Sequence, residues 1–271
     1  MCISAWIWQA HPSYPFLLVL NRDEYHERPT MTAEWWGDGT QKILGGRDVQ
    51  AGGTWLGCTR NGRLAFLTNV LEPDPFPDAK SRGALPVKFL ECEKSPLEFA
   101  EEVAGEADKY NGFNLVLADL CSKTMVYVSN RPKGEPASIK LVPPGLHVLS
   151  NAGLDSPWHK ALRLGKGFKE LLYKYDAEEE IPARELVKQL MCDRVKAERD
   201  RLPNTGCDSD WEWNLSSIFV EVDTKRGRYG TRSTAVVAAR PSGDVEFYEA
   251  YLEMGVWKDH TIRYQIESLH Q

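Results

Sequence analysis

The sequence lacks the patterns that mark metal, disulfide and membrane proteins. None of its 6 cysteines belongs to a CxxC pair, and its 6 histidines form no HxxxH or HExxH pattern. No apolar run reaches the ~18 residues that a membrane-spanning helix needs. We therefore expect reduced, intracellular thiols, no metal site, no transmembrane segment and no required cofactor.

An excess of positive charge is also missing. The formal net charge of −6 gives no electrostatic support for a nucleic-acid partner. Hydrophobic residues make up 42% of the 271 residues, which is enough to build a sizeable core. Because no linker, repeat or low-complexity segment divides the chain, we predict a single domain over residues 1–271.

The order of the predicted elements indicates the fold class. Strands and helices arrive in separate blocks, without the regular alternation of a parallel βαβ sheet, so we predict an α+β fold of antiparallel sheets covered by helices. Ser95 before Pro96 predicts a helix start, and the pattern of residues 183–199 predicts a long amphipathic helix. We expect a loop over residues 27–38 and a short helix or loop over residues 257–271.

The N-terminal residues carry the most suggestive chemistry. Two apolar runs, residues 2–8 and 16–20, flank a proline-bearing turn and predict a β-hairpin. If the hairpin is centred between Pro12 and Ser13, Cys2 lies opposite Asp23. Removal of Met1 would leave a thiol and a free α-amine on Cys2, which is the arrangement of an N-terminal nucleophile. The alternative is that Cys2 is a small apolar residue at a strand end.

Other polar candidates lie at or near predicted strand ends: Asp23, Asn69, Asn151 and Arg232. We expect all four to line one pocket with Cys2. Each also has a purely structural explanation, since Asp can cap a strand, Asn tolerates turn geometry and Arg can be an exposed strand residue.

Several motifs together resemble the NRDE family, the family of the transport and Golgi organisation protein 2. The motifs are Asn21-Arg22-Asp23-Glu24, Gly45-Gly46-Arg47-Asp48, Gly52-Gly53-Thr54-Trp55-Leu56-Gly57, Leu67-Thr68-Asn69, Leu149-Ser150-Asn151, Pro157-Trp158 with Lys160, and Tyr229-Gly230-Thr231-Arg232-Ser233-Thr234. The resemblance covers nearly the whole chain. It implies the four-layer αββα sandwich of the N-terminal nucleophile hydrolases, with links to secretion, Golgi organisation, lipid or acyl-CoA metabolism and haem handling.

A more distant resemblance joins the chain to the choloylglycine and penicillin V acylases. It implies Cys2 as nucleophile and Asp23 as its partner, Asn69 and Asn151 as oxyanion or substrate contacts, and Arg232 as the group that steadies the thiolate. Those acylases carry an arginine three residues before the aspartate, where this chain has Leu20. Acylase substrate binding therefore does not transfer.

The same motifs supply a set of candidate ligand-binding residues: Asn21, Arg22, Glu24, Arg47 and Trp55. Arg22 lies one residue from Asp23, so the two side chains should point to opposite faces of the strand.

Two functions from different classes follow from these residues. The first is a carrier that binds or traffics a large amphipathic ligand, haem or acyl-CoA, in the Cys2 pocket. The second is an N-terminal cysteine amidohydrolase or thioesterase. The resemblance implies a cytoplasmic location, with the mitochondrion and the Golgi as alternatives.

Overall fold

The computed structural model describes residues 2–37, 42–175 and 180–267, and within them two antiparallel sheets of seven strands each. In chain order the strands are β1 Cys2–Trp8, β2 Phe16–Tyr25, β3 Thr30–Trp36, β4 Ile43–Asp48, β5 Leu56–Cys58, β6 Arg63–Asn69, β7 Phe113–Asp119, β8 Thr124–Ser129, β9 Ser138–Leu141, β10 Gly145–Leu149, β11 Glu221–Thr224, β12 Gly227–Ala239, β13 Asp244–Glu253 and β14 Val256–Gln265. The first sheet has the order β10-β1-β2-β12-β13-β14, with β11 beside β12. The second runs from β3 to β9 in chain order.

The helices form the two outer layers. They are α1 Ala84–Glu91, α2 Pro96–Gly105, α3 His159–Lys174, α4 Ala183–Leu186 and α5 Ser209–Asn214. Single turns span Ala107–Lys109, Val187–Met191 and Arg199–Arg201. Helices α1 and α2 cover the second sheet, whereas α3, α4 and the turn after α4 cover the first. The start of α2 is as predicted, because Ser95 caps it and Pro96 is its first residue.

The two sheets pack face to face around the largest core. Along β1 and β2 the even-numbered apolar residues face the other sheet and the odd-numbered ones face the helices. Trp6 of the first sheet meets Phe66 of the second edge to face, with ring centroids 5.0 Å apart. The predicted α+β class and the four-layer αββα sandwich are therefore confirmed.

The predicted hairpin exists, but its register is shifted by one residue. Cys2 pairs with Arg22, and Trp8 pairs with Phe16 at the other end. The loop between the strands therefore has an odd number of residues. It closes through Gln9, whose φ of 47° is left-handed and whose N–H donates to the Pro15 carbonyl over 2.8 Å.

Three element predictions are corrected. Residues 30–36 form β3 rather than a loop, and residues 256–265 form β14 rather than a short helix or a loop, while residues 268–271 lie outside the described part. The helix predicted to reach residue 199 stops at Met191. The carbonyl of Met191 accepts a hydrogen bond from the buried amide of Asn21 over 2.9 Å, so a tertiary contact replaces the next helical bond.

Candidate active site around Cys2

Cys2 is the first residue of β1, and its side chain is 6% exposed. Its carbonyl accepts hydrogen bonds from Asn151 Nδ2 at 3.3 Å and Ser150 Oγ at 3.4 Å. The residue also lines a cavity of about 320 Å³. A thiol is thus fixed at the wall of a space large enough for a small ligand group.

The cavity lies where the ends of β1, β2, β4 and β6 meet four loops. Its lining residues are Cys2, Arg22, Asp23, Glu24, Arg28, Asp48, Ala51, Thr54, Trp55, Leu67, Asn69, Ala79, Lys80, Ser81, Arg82, Gly83 and Asn111. Most of these are charged or polar. The cavity therefore suits a polar or charged part of a ligand better than an apolar one.

One glycine from each of two glycine pairs explains why these loops approach so closely. A Cβ on Gly46 would lie 2.3 Å from the Trp55 ring, and a Cβ on Gly53 would lie 2.4 Å from the Gly83 backbone. The Gly83 carbonyl also accepts a hydrogen bond from the Thr54 N–H over 3.0 Å. The glycine motifs thus hold Trp55 and the 81–83 loop at the cavity.

Asp23 lies beside Cys2 in the first sheet and is buried. Its backbone N–H hydrogen-bonds the Cys2 sulfur, and its Oδ1 accepts from Thr231 Oγ1 at 2.7 Å. Burial raises the pKa of this carboxyl to about 6, while the charge of Lys160 and the Thr231 hydroxyl oppose the rise. Asp23 is therefore mainly ionised at neutral pH, but a small fall in pH would protonate it.

Burial raises the pKa of the Cys2 thiol above its ordinary value, and the Asp23 charge adds to that rise. The Arg22 guanidinium opposes it. Since the thiolate is the nucleophilic form, Cys2 needs a base close by to react at neutral pH.

Lys160 is a site residue that the sequence patterns do not predict, although it lies in the motif with Pro157 and Trp158. It is the second residue of α3 and is 2% exposed. Its Nζ donates to Asn151 Oδ1 over 2.9 Å, and burial lowers its pKa to about 8 against the charges of Asp23 and Cys2. A buried lysine in the first helical turn opposes the helix dipole, which points to a role other than helix stability.

The two predicted asparagines come together at Cys2 with different roles. Asn69 lines the cavity, and its carbonyl accepts from Asn151 Nδ2 at 2.9 Å. Asn151 lies behind Cys2, beside Lys160, and does not line the cavity. The ends of β6 and β10 are joined because Thr68 Oγ1 donates to the Ser150 carbonyl, and this brings both asparagines to one place.

Arg232, like Asn151, does not line the cavity, and unlike Asn151 it makes no hydrogen bond to Cys2 among those of the described residues. A bulge in β12 between Thr231 and Ser233 changes the register there, and Arg232 Nη1 donates to the carbonyls of Tyr25 and Arg28. The side chain lines two neighbouring cavities instead. The expectation that Arg232 lies beside the thiol is corrected: Arg22 occupies that position.

Of the five ligand-binding candidates, three line the cavity and two do not. Arg22, Glu24 and Trp55 line the cavity. Asn21 does not, because its buried amide bonds the carbonyls of Met191 and Ile218 and accepts from Thr234 Oγ1. Arg47 is exposed and stacks over Trp36 at 5.2 Å, outside the cavity. Both corrections follow from strand alternation, which turns Asn21 toward the helices.

Two further properties concern the described residues as a whole. Within them, no group of three or more His, Cys, Asp or Glu side chains has the geometry to hold a metal ion. No helix among them is both long and apolar enough to cross a membrane.

Comparison with known proteins gives a family match over most of the chain. Residues 1–254 match the model of the family described as Transport and Golgi organisation 2. The mouse "Transport and Golgi organization 2 homolog" is 34% identical over 285 aligned residues, which cover 99% of this chain and 100% of that protein. The human homologue is 33% identical over 284 residues, with the same two coverages.

Among solved structures, a mutant of the conjugated bile acid hydrolase from Clostridium perfringens superimposes with a TM-score of 0.52. The match covers 97% of this chain and 96% of that one at 8% sequence identity. At this identity the likeness concerns the fold alone.

Proposed function

The chain belongs to the transport and Golgi organisation 2 family, and from this premise we propose that it is a cysteine acyl hydrolase acting on amide or thioester bonds. One observation carries the proposal: Cys2, Asp23 and Asn69 share the wall of one cavity. They are a nucleophile, a carboxylate that can orient its base, and a side-chain amide that can donate to an oxyanion.

The proposed reaction begins with removal of Met1, which frees the Cys2 α-amine. That amine accepts the thiol proton, and the sulfur attacks the acyl carbon to form a tetrahedral intermediate. Collapse of the intermediate expels the amine or thiol, which takes the proton back from the α-ammonium. Water then attacks the acyl-Cys2 thioester, releases the carboxylic acid and restores the thiol.

Neighbouring residues support activation of the thiol and its attack on the acyl carbon. The carboxylate of Asp23 favours the ammonium form of the α-amine, and the Asp23 N–H at the Cys2 sulfur favours the thiolate. Asn151 and Ser150 hold the Cys2 carbonyl, so the nucleophile keeps one orientation during attack.

Intact-mass spectrometry tests the proposal directly. Wild type incubated with an acyl thioester should have lost Met1 and gained one acyl mass, and Cys2→Ala should gain none. Cys192→Ala is the matched control, because Cys192 is an exposed thiol away from the cavity and its loss should leave the adduct unchanged. Retained Met1 with neither adduct nor turnover would refute the hydrolase.

A carrier of haem or acyl-CoA is the second candidate. The raised pKa of Cys2 disfavours both acyl transfer and haem ligation by the thiolate, and so favours a carrier of acyl-CoA. A neutral thiol is a poor nucleophile and equally a poor haem ligand, since iron is bound by the thiolate. The charged cavity wall favours acyl-CoA, whose phosphates can pair with arginine. Saturable binding of either ligand by wild type and by Cys2→Ala, without turnover, would support the carrier.

The family name motivates a cellular role in secretion and Golgi organisation, which we include in the proposal. The candidate locations are the cytoplasm, the Golgi and the mitochondrion. Fractionation of cells that express the tagged chain, probed against markers for each compartment, separates these alternatives.

A further inference from the structure

Arg22 is an unusual residue for the wall of a cavity. It is 4% exposed, and its Nη1 is buried without a hydrogen-bond partner among the described residues. Its guanidinium lies over the Trp55 ring, 4.2 Å from the centroid, and its Cα is paired with that of Cys2 in the neighbouring strand. A desolvated donor is thus held directly beside the thiol, although buried donors are normally bonded.

Most other charges of the wall are balanced by nearby groups of opposite charge, and the charge of Asp23 is opposed by that of Lys160. Arg28 pairs with Asp48 at 2.7 Å and with Glu24 at 3.8 Å. Lys80 pairs with Glu106 at 2.9 Å. These pairs leave little net charge on their part of the wall.

Arg82 is the second cation of the wall without an ion pair among the described residues. Its Nη1 donates to the Gly112 carbonyl over 2.8 Å, a neutral acceptor. Burial lowers the pKa of both Arg22 and Arg82. For Arg22 the charge of a Cys2 thiolate opposes that change most, and for Arg82 the charge of Glu72 opposes it first and that of the Cys2 thiolate second. The thiol therefore lies within the field of two guanidinium groups.

We propose that Arg22 and Arg82 form an anion subsite beside Cys2, which binds a carboxylate or phosphate group of the acyl substrate. The inference rests on the proposed hydrolase and names its substrate class: an acyl compound that carries an anion near the bond to be cleaved. Guanidinium groups suit this task because they bind both carboxylate and phosphate through paired N–H donors. An anion would also give the buried Nη1 the acceptor that it lacks.

Two matched pairs of thioesters test the subsite and identify where the anion is carried. Glutaryl and pentanoyl esters of N-acetylcysteamine differ by a carboxylate in the acyl group. Pentanoyl esters of phosphopantetheine and pantetheine differ by a phosphate in the leaving group. In at least one pair the anionic member should show kcat/KM higher by about tenfold or more, the effect of one charge-assisted hydrogen bond. Equal values within both pairs would refute the subsite.

Variants test whether the two arginines cause the preference for the anionic substrate. Arg22→Gln and Arg82→Gln should each reduce the preference toward unity, mainly by slowing the anionic substrate. Arg47→Gln is the matched control, since Arg47 belongs to the neighbouring motif but is exposed outside the cavity. If Arg22→Gln does not fold, Arg82→Gln still tests the subsite, because Arg82 is less buried and its substitution should disturb the fold less. A preference that survives in Arg82→Gln would refute its part in the subsite.

Calorimetry separates failure of the subsite from failure of the hydrolase. If no thioester is turned over, titration of wild type with glutarate, with phosphopantetheine and with their neutral analogues glutaramide and pantetheine still reports on the anion. Binding of an anionic probe that is about tenfold tighter than its neutral analogue and is lost in Arg22→Gln or Arg82→Gln would support the subsite without the hydrolase. Equal binding of both analogues would refute the subsite.

Discussion

At the scale of single residues, two buried side chains, Lys160 and Asn151, hold the backbone of Cys2 in place. Lysine has only hydrogen-bond donors, so Asn151 must turn Oδ1 toward Lys160 and Nδ2 toward the carbonyls of Cys2 and Asn69. Lys160 thereby fixes the orientation of the Asn151 amide, which does not line the cavity. We regard it as a positioning residue, because it acts on Cys2 through Asn151.

Lys160→Met should lower the rate of acyl transfer by about tenfold or more, equivalent to about 1.4 kcal/mol of transition-state stabilisation. The charge of Lys160 lowers the pKa of Asp23, so its loss should raise that pKa above about 6 and move the acid limb of the pH profile to higher pH. Measurement of the rate against pH, with NMR titration of the Asp23 carboxyl, reports both effects.

Lys169→Met is the matched control for this substitution, because Lys169 is exposed on the same helix. It should leave the rate and the pH profile unchanged. A purely structural role for Lys160 would lower the stability of the variant without moving the titration of Asp23.

At the scale of elements, a buried carboxyl joins the two sheets. Glu249 of β13 accepts a hydrogen bond from the Ala33 N–H of β3 through Oε2 over 2.7 Å. Burial raises the pKa of Glu249 from 4.5 to about 7, while the bonds from Ala33 and Ser233 and the charge of Arg22 oppose the rise. The His260 ring is 3.7 Å from the same carboxylate.

The stability of the fold should therefore depend on the titration of Glu249. Its folded pKa lies above its unfolded value, so its contribution is fully present below pH ~4.5 and is lost as the pH rises to about 7. The loss amounts to about 3 kcal/mol at most. Asp23, whose pKa is also raised, acts in the same direction over a lower pH range.

Glu249→Gln keeps an oxygen acceptor for Ala33 but cannot ionise. Urea unfolding at pH 5 and pH 8 should show a smaller loss of stability between the two values in this variant than in wild type. Glu253→Gln is the control, because Glu253 is on the same strand but exposed and paired with Lys258. An unchanged pH dependence in Glu249→Gln would contradict the assignment.

At the scale of the whole molecule, stability depends on the core between the sheets. Trp6 and Phe66 are fully buried and join the two sheets, and further aromatic and aliphatic residues surround them. The helical layers are smaller and cover the outer faces. Because the site lies at the ends of strands from both sheets, its geometry depends on how these sheets pack.

Phe66→Ala should lower the free energy of unfolding by about 3–5 kcal/mol, because it leaves a cavity between the sheets. Leu141→Ala is the control, since Leu141 is exposed on the edge strand β9 and its loss should change stability by about 0.5 kcal/mol or less. Equilibrium denaturation of both variants measures the contrast. Equal effects would mean that the inter-sheet core does not dominate.

The sequence by itself determined the layers and most of the site. Alternating apolar residues specify which face of each strand is buried, and the separate blocks of strands and helices predict antiparallel sheets under helices. Local chemistry also predicts the start of α2 at Ser95 and Pro96. The second position in the chain identifies Cys2, and the motifs identify Asp23, Asn69 and Asn151, because strand ends are local features.

Only the tertiary structure decided which charges surround the thiol. The closure of one loop at Gln9 shifted the hairpin by a residue and put Arg22 opposite Cys2. A bulge in β12 sent Arg232 to another cavity, and the packing of α3 brought Lys160 to Asn151. Register, bulges and helix docking depend on contacts between residues far apart in the chain, so a local pattern cannot specify them.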